Sequence, residues 1–428
     1  MNGRMASAID RTYEIRPWRH VAVFLIACAL IVSRRPDAMV HAQFWAEDGR
    51  VWFADAYNLG WFAALSRTWT GYFLTLPRIA AGLALLVPLA RAPLLLNLIA
   101  ISIQALPVNL LLLKRSASWG SLGFRALLGA TYIGLPSSPE IHANITNSQW
   151  LLALCAFILI VASPPERKSG KVVDFSLMVL SGLTGPFCFF LTPIACYMAS
   201  RDRDRWRRIP VCILIACSIL QASALLFVSP AARAQWGVLG ANPTLFIRII
   251  SGNVFLGTLI GANHLAIQWG HGFFLFLLFV ALGGIAFLAA TFVRSTLNMR
   301  LFVILAFTIF AASLISPSSY APPGTTRWEL VAGASAVRYW FLPTLAFAWS
   351  MVTAFKGRNM ILKSISAALL CVLCFGIAGR WLRAPLQDFH FSESVARFES
   401  APAGATVIIP LNPQGWSMQL VKHAQDGH

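Results

Sequence analysis

Charge is what this sequence has least of. Aspartate and glutamate together number 16 in 428 residues, and all charged residues make up only 12% of the chain. A soluble globular domain carries about 25% charged residues, so an ordinary water-soluble enzyme is excluded. Low hydrophobicity is missing as well: 57% of residues are hydrophobic, which excludes a disordered chain. The two-residue alternation of a membrane β-barrel is not there either, since it would break up the long apolar runs. Neither a glycine-rich nucleotide-binding motif nor an internal repeat is found, and no low-complexity linker marks off a soluble domain. The eight cysteines all fall inside apolar runs, where cysteine packs as a small hydrophobe. Cys371 and Cys374 have C-x-x-C spacing, but a lipid-spanning helix gives it no redox or zinc meaning. No small-residue cleavage site follows the first apolar run, so the N-terminus reads as an anchor and not as a cleaved signal.

What the chain does have is apolar runs long enough to cross a hydrocarbon core of about 30 Å as helices. They lie at 18–32, 73–90, 93–113, 122–136, 149–163, 174–199, 209–228, 271–293, 300–316, 339–355 and 361–379. The fold class expected is an all-α polytopic membrane protein with about eleven transmembrane helices, a membrane domain over 1–379 and a short tail over 380–428. Lysine and arginine number 34 and give a net charge of +18. They cluster at the ends of apolar runs, as in 201–208 and at Lys356 and Arg358, which fits the positive-inside rule and anionic lipid; nucleic acid is not an expected partner. The N-terminus is expected inside the cell, and the polar, aromatic segment 33–72 outside. Strict alternation would put Lys114-Arg115 and the basic cluster at 166–171 outside. The positive-inside rule instead makes 174–199 a hairpin of two half-length helices, broken at Gly182-Leu183-Thr184-Gly185-Pro186. The 93–113 run then needs an irregularity of its own, at Pro107. In the tail, 405–410 reads as a short strand, too little for an independent domain.

In so acid-poor a chain the carboxylates are informative. Phe44-Trp45-Ala46-Glu47-Asp48-Gly49-Arg50 opens the first outer loop, and ten aromatic residues lie between Phe44 and Phe73. An interfacial helix from about Asp48 to Ser66 would put Asp55 on the same face as Asp48. The plain alternative is that Glu47 and Asp48 only cap that helix, among aromatics that form an interfacial belt. Segment 139–150 gathers Glu140, His142, Asn144, Asn147 and Gln149, a density of hydrogen-bonding groups suited to sugar hydroxyls or to a capped polar turn. Arg338 and Tyr339 stand where a late span begins, with Trp340 beside them. Arg78, one turn inside the second run, is a functional candidate by default, because an unpaired charge in lipid costs several kcal/mol. Its natural partner is a phosphate or Asp48. Arg248 is a weaker candidate for the same cavity, while His264 and His271, weak candidates flanking the next span, suit a lipid–water boundary better than a metal site.

An acid pair just after the first transmembrane helix, followed by a juxtamembrane helix and many spans, resembles the GT-C superfamily of membrane glycosyltransferases. The resemblance covers the architecture of nearly the whole chain, and its sharp part is Glu47-Asp48. It implies a GT-C-like fold, a polyprenyl-phosphate-sugar lipid as donor and a glycan or glycolipid acceptor, in a bacterial inner membrane with the C-terminal tail in the periplasm. Asp48 maps to the catalytic base and Glu47 to a supporting role or a metal ligand. Glu140, His142, Asn144 and Asn147 would bind substrate in the second outer loop, while Arg78, Arg338 and Tyr339 would hold the lipid phosphate and line its prenyl chain. No cofactor is required; Mg²⁺ or Mn²⁺ at Glu47 and Asp48 is the one open option, although oxygen-ligand sites generally recruit more carboxylates. The competing class is a transporter or flippase for a lipid-linked or amphipathic substrate, or an inactive relative of the same fold. Few charges inside the spans and no repeat weigh against a transporter.

Overall fold

Backbone removed from water must satisfy its own hydrogen bonds, so long apolar runs fold as helices. The computed structural model describes residues 17–202, 204–227, 237–261, 273–317 and 324–424, and among these the protein is mostly helical. Among the described residues six helices are long and apolar enough to cross a membrane: Leu89–Leu112, Arg205–Leu226, Pro243–Ile260, Phe274–Arg294, Leu297–Ile315 and Met360–Gly379. Two of them turn large apolar side chains outward, with Phe279 75% and Phe375 77% exposed. Contiguous exposed apolar surface of that kind belongs against lipid. The opposite holds for Ser148–Val161, in which every residue but Gln149 is buried, and for Phe341–Lys356, buried except at Thr353, Phe355 and Lys356. Helices apolar on every side sit at the centre of a bundle. Around the first pack Ala92–Leu112, Lys168–Gly182 and Cys188–Arg201; around the second, Leu297–Ile315 and Met360–Gly379.

The turns gather in two sets. In one, Ser163 N donates to Arg115 O (2.8 Å), Arg115 is ion-paired with Asp174, and Asn298 Nδ2 donates to Ser118 Oγ (2.9 Å). Lys171 stands over the Trp206 ring, 5.5 Å from its centroid, in the same basic set. The other set joins 33–75, 135–147, 182–187, 334–340 and the tail, as the contacts below describe.

Two apolar runs fold differently from single spans. Segment 73–90 forms a helix of only 10 residues, Thr75–Ala84, about 15 Å long and too short to cross, followed by the turn Leu89–Arg91. Segment 174–199 is divided between Lys168–Gly182 and Cys188–Arg201, and the break falls at 183–187. Gly185 makes the break feasible, because its φ of +85° is a conformation L side chains rarely adopt. A helix break buried in protein leaves carbonyls without partners, and Gln221, fully buried in Arg208–Phe227, supplies them. Its Nε2 donates to Phe73 O (3.1 Å), Gly182 O (3.3 Å) and Gly185 O (3.2 Å), while Oε1 accepts from Phe73 N (2.9 Å). The irregularity expected at Pro107 is not a break: Pro107 is buried inside the continuous helix Ala92–Leu112.

The loop after the first helix (Pro17–Arg34) is helical over Asp48–Phe53, Ala54–Leu59 and Trp61–Leu65, with a bend at Gly60. It is not simply an interfacial helix, because the tail lies on it and buries one side. That tail contains the helix Phe391–Glu399 and an antiparallel pair, Thr406–Leu411 with Trp416–Val421, in register from Thr406↔Val421 to Leu411↔Trp416. Alternation buries Val407, Ile409 and Leu411. Asn58 clamps the second strand, donating to Gln419 O (2.8 Å) and accepting from Val421 N (2.9 Å).

Candidate active site

The acid pair is aimed by its own backbone. Ala46 has a φ of +40°, strained for an alanine, and the turn is fixed where Ala46 N donates to Asn412 O of the tail (2.5 Å). Helix follows at once. Successive side chains on a helix point about 100° apart, so Glu47 and Asp48 diverge. Glu47 faces a cavity of about 1640 Å³, whereas Asp48 is 1% exposed and turned into protein. Both Asp48 oxygens are engaged: Oδ1 accepts from Thr146 N (2.9 Å) and Thr146 Oγ1 (2.5 Å), and Oδ2 from Ile145 N (3.2 Å). Burial pushes the Asp48 carboxyl up to about 7 in spite of those donors. The Glu47 carboxyl is also raised by burial, which outweighs the pull of Arg338 and Arg50.

Segment 139–149 thus lies against Asp48, but its polar residues do different jobs. Glu140 lines the cavity; its Oε2 accepts from Arg338 N (2.8 Å) and its Oε1 is ion-paired with the Arg338 guanidinium. Asn147 also lines the cavity, and its Nδ2 donates to Glu140 O (2.9 Å). His142 is buried away from the cavity. Its Nε2 lies 3.0 Å from Ile31 O, which can only accept, so Nε2 carries the proton and Nδ1 accepts from Gln104 Nε2 (3.2 Å). Burial and then Arg383, Arg34 and Arg35 hold it well below the usual histidine range, and it is neutral. Asn144 is buried too, closing its own turn by accepting from Asn147 N (3.0 Å).

The cavity has two characters. Glu47, Glu140 and five arginines, Arg35, Arg50, Arg338, Arg380 and Arg383, make it polar and cationic. Phe189 and Phe190, Leu225, and Ile309, Ala312 and Ile315 come from three different apolar helices and give it a greasy flank. Tyr339 lies beneath Arg338, 4.8 Å from guanidinium carbon to ring centroid. It meets Trp150, which meets Phe187, so the Arg338 wall adjoins that flank.

Four expected roles are corrected by this geometry. Asp48 does not reach the cavity and, with both oxygens engaged, pins segment 145–146 in place; a base there would have no access to an acceptor. Arg78 is buried in the ten-residue helix, paired with Asp55 (2.7 Å) and stacked on Trp52 (4.8 Å), and meets neither Asp48 nor the cavity. His142 and Asn144 are framework, not substrate contacts. Of the weaker candidates, Arg248 does not line the cavity, and His264 and His271 lie outside the described residues. Conversely Arg35, Arg50, Arg383 and Trp416 line the cavity without having been singled out. The Arg34-Arg35 pair carried a legible signal: two cations at the end of the first span that the positive-inside rule leaves bare.

A divalent metal does not fit these residues. Asp48 is already used by three donors, Glu140 is held by Arg338, and among the described residues no group of three or more His, Cys, Asp or Glu is placed to hold an ion. Comparison with protein-family models and with curated proteins finds no match to this chain.

Proposed function

We propose that this protein is a membrane glycosyltransferase that moves a sugar from a polyprenyl-phosphate donor to a hydroxyl of a glycan or glycolipid acceptor, with Glu47 as general base. The observation that carries the reading is the cavity: one accessible carboxylate of raised proton affinity, between Arg338 and Arg50, beside an apolar flank. A carboxylate whose proton affinity burial has raised is suited to take a proton from a hydroxyl. Arg338 and Arg50 are suited to a phosphate that gains charge as it departs, and the flank to a prenyl chain. Eleven crossings account for the two sets of turns, with the basic set inside a bacterial inner membrane and the cavity and tail outside. In that arrangement neither the short helix 75–84 nor the stretch 243–260, whose flanks Val238 and Gly261 both lie on the cavity side, crosses, and the two halves of 168–201 cross separately.

The test uses the full chain in nanodiscs with a panel of polyprenyl-phosphate hexoses and pentoses and bacterial envelope lipids as acceptors. Release of free polyprenyl phosphate is expected from at least one donor. In Glu47→Gln it should fall at least about 100-fold, the usual contribution of a positioned base. Absence of release from every donor, or an undiminished Glu47→Gln, overturns the proposal.

A further inference from the structure

The tail-side wall of the cavity holds cations that the chemistry just described does not use. Arg34 ends the first helix with Arg35 next to it, and Arg380 and Arg383 follow Met360–Gly379; Arg383 N donates to Arg34 O (2.8 Å), so the two segments run side by side. Arg34 is structural. Its guanidinium, 1% exposed, donates to the carbonyls of Ile133, Leu135, Arg380 and Trp381, and it does not line the cavity. Arg35 and Arg383 do line it.

Arg383 has no counter-ion among the described residues, and Arg35 has only a loose ion pair with Asp37. Arg35, 6% exposed, donates through Nη1 to His142 O (3.2 Å), and its nearest acid, Asp37, is 3.8 Å from Nε. That is beyond hydrogen-bond distance, and Asp37 Oδ2 already accepts from Leu386 N (2.9 Å). Arg383 donates through Nη2 to Ser138 Oγ (2.9 Å) and forms no ion pair with any described residue. The Nε atoms of both are buried without a hydrogen-bond partner. Burial, then Arg34 and Arg35, hold Arg383 well below the ordinary arginine range. Buried like charges with open donors are costly unless an anion joins them, and the guanidinium fork matches an oxyanion. This wall is separate from the acid's: the charges that act on Glu47 are Arg338, Glu140 and Arg50, while Arg35 stands by Trp45 (5.9 Å to the ring) beneath the tail.

We propose that Arg35 and Arg383 form an oxyanion subsite that holds a phosphate or carboxylate borne by the acceptor. The word acceptor rests on the transferase reading; the binding of an oxyanion does not. The experiment is thermal unfolding of the full chain in phosphatidylcholine nanodiscs, titrated with inorganic phosphate at constant ionic strength, with a parallel arm that adds phosphatidic acid to the disc. In the wild type at least one arm should raise the midpoint in a saturable way. Arg383→Gln and Arg35→Gln should each weaken that response at least tenfold, and the Lys variants, which keep charge but lose the fork, by less. Response to phosphatidic acid alone assigns the group to a lipid-borne acceptor, and response to inorganic phosphate to a soluble one. No response in either arm, or equal response in wild type and both Gln variants, overturns the subsite. So does a response lost in Glu47→Gln but kept in Arg383→Gln. If the arginine-dependent response is present while no donor lipid is turned over, the transferase reading fails and the subsite stands.

Discussion

At the scale of single residues, Glu47 and Asp48 separate chemistry from framework. Glu47→Gln removes the only carboxylate of the pair that the cavity reaches, so transfer should fall while the fold survives. Asp48→Asn should do the reverse. An amide keeps one acceptor oxygen and turns an NH₂ toward a backbone N–H, leaving a buried donor unsatisfied at about 1–3 kcal/mol. The pH dependence has a definite sign. The folded Asp48 carboxyl is raised from 3.8 to about 7, so the folded state binds a proton that the unfolded chain has already released in that interval. Stability from this group is therefore complete below pH 4 and declines as pH climbs toward 7. Thermal midpoints across pH 4–8 should show the wild-type advantage over Asp48→Asn shrinking with rising pH; an advantage that grows would contradict the assignment. That an acid pair stood in this loop was legible in the sequence. Which acid would face the cavity was not, because the backbone turn at Ala46 is held by Asn412, from the far end of the chain.

Elements raise a different question: how a helix can break at a turn buried in protein. The sequence offered Gly182-Leu183-Thr184-Gly185-Pro186 as a break, and helix breakers are local signals that can be read directly. The partner that makes the break tolerable lies in another helix and was not legible, since a lone glutamine in an apolar run reads as an ordinary polar residue. Gln221→Leu keeps the volume but strands Phe73 N and the carbonyls of Gly182 and Gly185. Unsatisfied buried groups cost about 1–3 kcal/mol each, so the thermal midpoint should drop well below that of a surface control such as Ser200→Ala. An unchanged midpoint would mean that water replaces the amide. Segment 73–90 misled for a related reason. Its composition suits a span, yet Leu85 ends the helix and Pro88 opens a turn back toward the tail side, and apolar residues that pack against protein, as Leu76, Ala80, Ala81 and Ala84 do, look like residues that face lipid.

For the whole molecule, the basic clusters at the helix ends and the arginines of the cavity were counted together in a net charge, and only three dimensions part them. Arg115, Lys171 and Arg207 belong to one set of turns; Arg35, Arg338 and Arg383 to the other, where charge serves a cavity and not the orientation rule. The proposed eleven crossings make this separation a statement about sides of a membrane. Single cysteines at Asn58, Ser118 and Gly404 can test it in a background where Cys196, Cys212, Cys371 and Cys374, the exposed native thiols, are changed to serine. Asn58 sits under the tail's second strand and Gly404 in the tail itself, whereas Ser118 bonds Asn298 in the basic set. A membrane-impermeant maleimide added to intact cells should modify Asn58→Cys and Gly404→Cys and leave Ser118→Cys untouched until the membrane is opened. Modification of Asn58 and Ser118 from the same side would require an even number of crossings between them. The helix 75–84 would then have to be counted as a crossing after all, which its length of about 15 Å does not allow without thinning the bilayer by half.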